Sequence, residues 1–274
     1  MLIYGSIGIF RRYIPMSSAA LAFARGLIGG IFLLCWMTLT GKPLKLQISK
    51  KNFFILCLTG VALGANWLLL FESYNHTSVA VATLCYYMEP TILILLSPLL
   101  FKEKLTAKKL VCAVVSFVGM VLVSGVLENG DTDLTGILFG LGAAVLYAVV
   151  VILNKKNPVE NAYGKTMVQL FVSAAVLFPY LLLTEDVGSF SLGGTEIAML
   201  LIVGIVHTGI AYAMYFGSVQ NLPSQTVAVF SYIDPVLAVV LAGSLLGETL
   251  SVSELIGAVL ILGAALVSEI RRKK

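Results

Sequence analysis

Charged residues are scarce in this chain. Asp, Glu, Lys and Arg make up only 12% of its 274 residues and apolar residues 59%, whereas a soluble domain carries roughly a quarter charged residues. This balance excludes a soluble globular protein. A membrane-spanning helix takes about 20 residues, so ten helices and short links would use the whole length. The net charge of +4 forms no basic stripe, so we expect no nucleic-acid partner.

Metal-binding and catalytic residue types are also few. The chain has two histidines, on different predicted helices, and contains neither H-E-x-x-H nor G-x-S-x-G. We therefore expect no metal, no cofactor and no enzymatic activity. The cysteines lack C-x-x-C spacing and lie in apolar runs, where they are interpreted as small packing residues. They are Cys35, Cys57, Cys85 and Cys112.

Long apolar runs dominate what is present. Each is separated from the next by polar residues, glycine or proline, which predicts an all-α polytopic membrane protein with ten transmembrane helices. Only the first run is too short to cross a bilayer. The runs cover residues 2–10, 17–39, 53–71, 79–101, 110–127, 134–153, 166–183, 197–216, 226–246 and 255–270.

The cations between these runs predict the orientation of the chain. With both termini inside, four Lys lie at 42–51, four at 102–109 and three at 155–165, and four Lys or Arg lie in the tail, fifteen in all. Only Arg11 and Arg12 fall outside, and Arg25 lies within the second helix. Because cytoplasmic loops carry the excess of Lys and Arg, both termini are predicted to be cytoplasmic and the Glu185–Glu196 link external.

An internal repeat relates the two halves. A shift of 145 residues superposes them without a gap, and Glu89 meets Asp234 just before a matched pair of prolines. This predicts two five-helix repeats, residues 1–127 and 134–270. Identities include Gly64/Gly209, Phe71/Phe216, Tyr87/Tyr232, Pro90/Pro235, Glu103/Glu248 and Leu110/Leu255.

Five is an odd number, so the second repeat must enter the membrane inverted relative to the first. The four Lys of the internal 102–109 link correspond to Gly247, Thr249, Ser253 and Glu254 on a predicted external link, as inversion requires. Inverted repeats are typical of alternating-access transporters. A transporter is therefore favoured over a channel, which needs no such repeats, and over a membrane scaffold without transport activity.

Several short motifs follow one another along the chain. They are Ala22-Phe23-Ala24-Arg25-Gly26, Asn66-Trp67, Tyr86-Tyr87-Met88-Glu89-Pro90, Gly209-Ile210-Ala211-Tyr212, Tyr232-Ile233-Asp234-Pro235 and Leu246-Gly247-Glu248-Thr249-Leu250. Their order and doubling resemble the drug/metabolite transporter superfamily, in its ten-helix EamA-type branch, over essentially the whole chain.

The resemblance implies a multi-pass protein of the bacterial inner membrane that exports amino acids or similar small metabolites, commonly driven by protons. It also implies a substrate cavity between the repeats. At the N-terminus the chain departs from the family pattern. A shift of 143 residues pairs Tyr4 with Tyr147, which predicts that about ten residues are missing ahead of Met1.

Two intramembrane carboxylates are the leading site candidates. At 1.5 Å per residue, Glu89 and Asp234 lie roughly 12–17 Å deep, where ionisable groups are costly and usually functional. Glu89 is a candidate for binding the coupling proton or a substrate amine. The alternative is a fixed ion pair with Arg25. Asp234 has the same two interpretations, with only His207 as an evident cationic partner.

A proline follows each carboxylate. Pro90 and Pro235 each remove a backbone hydrogen bond and leave the carbonyls of Tyr86 and Ser231 without their usual donors. Matched interruptions in two halves of a transporter indicate its binding site. The alternative is that both prolines merely kink the helices so that they pack.

Further polar residues lie on these helices. His207 is a candidate proton relay, although a lone helical histidine is more often a packing residue. At positions that the family uses for its cavity lie Asn66, Trp67, Tyr86, Tyr87, Tyr147, Tyr212 and Tyr232.

Two groups have a simpler interpretation. Acidic residues at helix ends are expected to be solvated: Glu72, Glu103, Glu248 and Glu254. Glycines four residues apart favour close helix packing within the monomer first and a homodimer face second. The pairs are Gly60/Gly64, Gly136/Gly140 and Gly243/Gly247.

Overall fold

The computed structural model describes residues 2–7, 10, 13–77, 82, 85–123, 134–185, 192–234, 236–237, 240–241 and 252–269. Every regular element within these ranges is helical. Several predictions lie outside the described residues. They concern Pro235, Gly243, Gly247, Glu248, Arg11, Arg12 and the cations of the C-terminal tail.

The described helices follow the predicted order. They are α1 Leu2–Gly5, α2 Ser18–Leu39, α3 Lys50–His76, α4 Glu89–Phe101, α5 Ala107–Val123, α6 Leu134–Lys156, α7 Ala162–Thr184, α8 Gly194–Val219, α9 Ser224–Ser231 and α10 Val252–Glu269.

Five of these helices are long and apolar enough to cross a membrane: α2, α3, α6, α7 and α8. Polar caps define where two of them begin. The Ser17 hydroxyl accepts a hydrogen bond from the Ala20 amide, and the Asn161 side chain accepts one from the Gly164 amide. Such caps satisfy amides that have no partner within the helix.

Because five of its helices are long and apolar enough to cross a membrane, the chain is a multi-pass helical membrane protein.

Two predicted helices are interrupted. The fourth predicted segment, 79–101, has a turn at Tyr87 and Met88, so that α4 begins only at Glu89. The ninth, predicted over 226–246, has its turn at Tyr232, directly after α9. Near the turns, the Met88 amide donates to the Cys85 carbonyl at 3.1 Å and the Tyr232 amide to the Val229 carbonyl at 3.3 Å. A spacing of three residues marks a tightened last turn.

Helix α8 contains a π-helical segment, Val203–Ile210, that the apolar pattern does not predict. The Thr208 hydroxyl donates to the Val203 carbonyl, five residues earlier, at 2.9 Å. Segments of π-helix are rare and are found mostly at functional sites.

The chain divides into two compact units. The first unit comprises Met1–Ser6, Glu72–Ala148 and Leu222–Lys274, and the second comprises Ile7–Phe71 and Val149–Asn221. The first unit therefore contains α4, α5, α9, α10 and most of α6. The second contains α2, α7, α8 and most of α3. Each unit draws helices from both halves of the sequence.

Glycines permit close helix contacts within each unit. A Cβ on Gly60 would lie 2.7 Å from the Val172 Cβ, and one on Gly64 would lie 3.0 Å from the Ser173 carbonyl. In the first unit, a Cβ on Gly140 would lie 2.8 Å from that of Cys85. For the described pairs, the prediction of close packing within the monomer is confirmed.

Candidate functional site

Both candidate carboxyl groups belong to the first unit. Glu89 lies in the first turn of α4 and is 3% exposed. Its Oε1 and the Oδ1 of Asp234 are buried, and neither has a hydrogen-bond partner among the described residues. The two groups are near enough to interact electrostatically. The fold thus brings together two carboxyl groups that are distant in sequence.

The interruption before α4 gives Glu89 its position. Pro90 lies at the start of α4, where its missing N–H removes no hydrogen bond and its fixed φ suits a helix. The expectation that Pro90 removes a hydrogen bond within a continuous helix is therefore wrong. The helix therefore restarts at this point, and the adjacent turn leaves Glu89 at a helix N-terminus. The positive end of the helix dipole favours a negative charge there.

Tyrosines surround this turn. The hydroxyls of Tyr232 and Thr91 are 2.7 Å apart, in hydrogen-bond contact. Tyr232 is fully buried in a core with Met120 and Ile261, and Tyr87 packs against that core. The Tyr86 ring contacts two further rings, with centroid distances of 5.9 Å to Tyr87 and 5.8 Å to Tyr147.

The second unit holds Arg25 of α2. Its guanidinium carbon lies 4.8 Å from the Trp67 ring centroid and 5.9 Å from that of Tyr212. One terminal nitrogen donates to the Tyr212 hydroxyl at 3.4 Å. The Arg25 Nε is buried and has no hydrogen-bond partner among the described residues. The two rings are themselves in edge contact, with centroids 6.1 Å apart.

These aromatic contacts offset only part of the cost of the charge. Cation–π contacts contribute about 0.5–2 kcal/mol, whereas Arg near the bilayer centre costs about 2.5–3.5 kcal/mol on insertion scales. The rings are uncharged, so they do not neutralise the guanidinium. Arg25 therefore carries an uncompensated positive charge within the part of the second unit that the structure describes.

His207 and Asn66 are also in the second unit. His207 lies in the π-helical segment, is 2% exposed, and packs on Phe10 with ring centroids 4.8 Å apart. Its Nδ1 is 3.4 Å from the Ile202 carbonyl, and it interacts electrostatically with Arg25. Asn66 is fully buried. Proton relay by His207 and an ion pair between Glu89 and Arg25 remain predictions.

Lys165 corrects one assumption of the orientation count, because it is buried and not a solvated residue of the link. It lies within α7, is 1% exposed, and donates through Nζ to the Asn154 carbonyl at 3.2 Å. In a helix this carbonyl would accept from residue 158, but Pro158 has no N–H. Gln169, on the same helix as Lys165, donates through its Nε2 to the Asn154 Oδ1 at 3.0 Å. The proline of Asn157-Pro158 is the sequence signal that the Asn154 carbonyl needs a donor from another helix.

Glu103, which was expected to be solvated, is only partly exposed. The two oxygens of this carboxylate accept hydrogen bonds from the first amides of α9, at 2.9 Å from Ser224 N and 3.4 Å from Gln225 N. Pro223 precedes these amides and supplies no side-chain cap. Glu103 therefore caps a helix that lies more than a hundred residues away in sequence, which local sequence patterns do not reveal.

Comparisons with known proteins agree along the whole chain. The model of the EamA-like transporter family matches residues 1–125 and 134–269. The uncharacterized transporter YxxF of Bacillus subtilis (strain 168) is 30% identical over 280 residues, covering all of this chain and 88% of the relative. Protein RarD of Salmonella typhi is 27% identical over 206 residues, covering 74% of this chain and 68% of RarD.

A solved crystal structure has the same fold. It superposes with a TM-score of 0.85 over 98% of this chain and 93% of its own, at 21% sequence identity.

Proposed function

This chain belongs to the EamA-like transporter family, and from that premise we propose that it is a proton-coupled secondary transporter that exports amino acids or similar small metabolites. Three of the relatives are named as uncharacterized transporters. The proposal adds a bacterial cytoplasmic membrane, cytoplasmic termini, and alternating access by ten helices in two inverted repeats. The internal repeat and the cation asymmetry of the sequence support these additions.

The pair of carboxyl groups in the first unit carries the proposal. Two buried carboxylates close enough to repel each other favour a state in which one of them holds a proton. Binding a proton removes a charge that is costly in the membrane interior. Losing it restores a group that attracts a substrate amine. Glu89 and Asp234 can therefore exchange a proton for a cationic group during the transport cycle.

The helix interruptions support the same mechanism. Broken membrane helices recur at ion and substrate sites of transporters, and here a break lies one or two residues before each carboxyl group. A break also frees backbone groups for a ligand. Tyr86 and Tyr87, beside the break before α4, are candidate substrate contacts, as are Trp67 and Tyr212 in the second unit.

The test is transport in proteoliposomes that contain the purified chain. A panel of labelled amino acids is supplied with and without an imposed pH gradient, and the internal pH is followed with a dye. We expect gradient-driven flux of at least one amino acid, accompanied by proton movement. Glu89→Gln keeps the shape of the side chain but cannot titrate, so gradient-driven flux should be lost. Substrate exchange without a gradient should survive.

Asp234→Asn tests the partner carboxyl group in the same assay, and Glu160→Gln is the control. Glu160 is an exposed carboxylate outside the predicted helices, so its replacement should leave transport unchanged. Normal gradient-driven flux and normal pH dependence in both Glu89→Gln and Asp234→Asn would disprove proton coupling at this pair.

A further inference from the structure

We propose that Arg25 is the receptor for a carboxylate on the transported metabolite. This inference rests on the proposed transport function and narrows its substrates to small molecules that carry an acid group. The carboxylate would be the counter-ion of Arg25, which the described part of the second unit does not provide.

Aromatic rings hold the guanidinium without neutralising it. Trp67 and Tyr212 are 4% and 5% exposed and make ring contacts with each other and with Arg25. Rings restrict the orientation of a planar guanidinium, so the donors of Arg25 are fixed before any ligand arrives. A fixed donor group loses less conformational entropy on binding than a flexible one.

Among the described residues, the hydrogen-bonding capacity of Arg25 is largely unused. A guanidinium offers five N–H donors. The Tyr212 hydroxyl takes one of them at 3.4 Å, a long contact, and the buried Nε has no partner among the described residues. A buried donor without a partner is rare and calls for an acceptor.

Acidic side chains of the second unit do not supply that acceptor. Among its described helices, the single acidic residue is Glu196, in the first turn of α8. Glu160 and Glu185 are at helix ends, outside the membrane-spanning helices. His207 also interacts electrostatically with Arg25, and it brings no negative charge. A counter-ion for Arg25 must therefore come from outside the described part of this unit.

A carboxylate, the acid group of the proposed amino-acid substrates, fits these donors. Two parallel N–H···O bonds from a guanidinium match the two oxygens of a carboxylate, and such charged, bidentate bonds are among the strongest in proteins. Lysine offers the charge without the planar fork. The site should therefore distinguish an amino acid from its amide, since the amide keeps the amine and side chain but lacks the negative charge.

Trp67 provides a direct reporter of binding. The chain has two tryptophans, and Trp36 is 44% exposed and stacks on Phe32. In a Trp36→Phe variant all tryptophan fluorescence arises from the ring beneath Arg25. The purified variant is titrated in detergent with each of the twenty L-amino acids and with their α-amides. We expect at least one acid to change the emission saturably and its amide to bind at least tenfold more weakly.

Substitutions of Arg25 in the Trp36→Phe variant test the role of the planar guanidinium. Arg25→Lys keeps the charge and should weaken binding of the acid at least tenfold, while Arg25→Gln should abolish it. Tyr212→Phe removes one hydroxyl and should weaken binding less than Arg25→Lys. Size-exclusion profiles and thermal unfolding establish which variants fold. Should Arg25→Lys fail to fold, the acid–amide comparison in the parent remains decisive.

Three results would overturn the proposal: no response to any acid, equal affinity for an acid and its amide, or unchanged affinity in Arg25→Gln. Adding Glu89→Gln to the reporter separates this inference from proton coupling. Acid-selective binding that survives this change, together with a normal pH-gradient response in proteoliposomes, would leave Arg25 as the receptor and disprove coupling at Glu89. If Glu89→Gln abolishes the pH-gradient response and no acid binds more tightly than its amide, coupling at Glu89 is supported and Arg25 is not the receptor.

Discussion

The Glu103 carboxylate stabilises the start of α9 from a distant link. It accepts hydrogen bonds from the amides of Ser224 and Gln225, and it places a negative charge at the positive end of the helix dipole. Next to this contact, the Gln225 side chain donates to the Ser97 hydroxyl at 2.8 Å. The link after α4 is therefore tied to α9 through side chains that sequence patterns treat as surface residues.

We predict that Glu103→Gln destabilises the protein by about 1 kcal/mol, the usual cost of losing a charged helix cap. The amide keeps one acceptor oxygen but loses the charge, and its NH₂ group cannot accept the second bond. Thermal unfolding in detergent should show a midpoint a few degrees lower. The exposed Glu160→Gln change is the control and should leave the midpoint unchanged. Equal midpoints for both variants would contradict the capping role.

Lys165 shows why residue-level prediction was incomplete. Counting cations treats a lysine near a charged link as a solvated residue, which is correct for most lysines. Burial of Lys165 depends on the carbonyl that Pro158 leaves without a donor and on the side chains of Asn154 and Gln169. Charge and hydropathy locate helices, but they do not record which buried acceptors remain unsatisfied.

Helices were predictable from the sequence because the hydropathy pattern is strong. The second predicted segment, 17–39, matches α2, and the sixth and seventh begin within a few residues of α6 and α7. The matched prolines indicated that the fourth and ninth segments are irregular. The pattern could not indicate the π-helical segment of α8, because π-helix and α-helix bury nearly the same apolar residues.

Helix α2 approaches α8 closely at this π-helical segment. A Cβ on Gly29 would lie 2.9 Å from the Gly204 carbonyl oxygen and 3.0 Å from the Gly209 amide nitrogen. Both are backbone atoms, which cannot rotate away as a side chain can. The two helices therefore require glycine at position 29, and the contact positions the helix that carries Arg25 against the helix that carries Tyr212.

We predict that Gly29→Ala destabilises the protein by about 1–3 kcal/mol, the usual cost of overpacking. Gly263→Ala in α10 is a matched control, because a Cβ there would have no atom within 4 Å and alanine favours a helix. In detergent, Gly29→Ala should unfold at a lower temperature and Gly263→Ala at an equal or higher one. An unchanged midpoint for Gly29→Ala would show that the helices separate without cost.

At the scale of the whole molecule, the repeat in the sequence and the compact units of the structure divide the chain differently. The repeat in the sequence divides the chain at about residue 130, whereas the compact units each combine segments from both halves. Sequence similarity records how the chain arose, while compactness reflects which helices pack together. The pairing of Arg25 with Trp67 and Tyr212 depends on that packing, so the composition of this cluster could not be derived from the spacing of residues.

The last prediction concerns the orientation of the chain in the membrane. Cations are concentrated on alternate links, and the retention of Lys and Arg on the cytoplasmic side predicts that the Glu185–Glu196 link is external. Burial of Lys165 removes one residue from the internal count without changing the sign of the asymmetry. A cysteine is introduced at Ser189, within this link, in a variant whose four native cysteines are replaced by alanine. Intact cells are then treated with a membrane-impermeant thiol reagent.

We expect Ser189→Cys to be labelled in intact cells. A control cysteine at Gln47, an exposed position on a lysine-rich link, should be labelled only after lysis. Transport activity of both variants would establish that the chain is correctly inserted. The reverse pattern, with Gln47→Cys labelled in intact cells and Ser189→Cys only after lysis, would mean that the termini are external. The fourteen remaining cations would then face the outside, against the rule from which the orientation was derived.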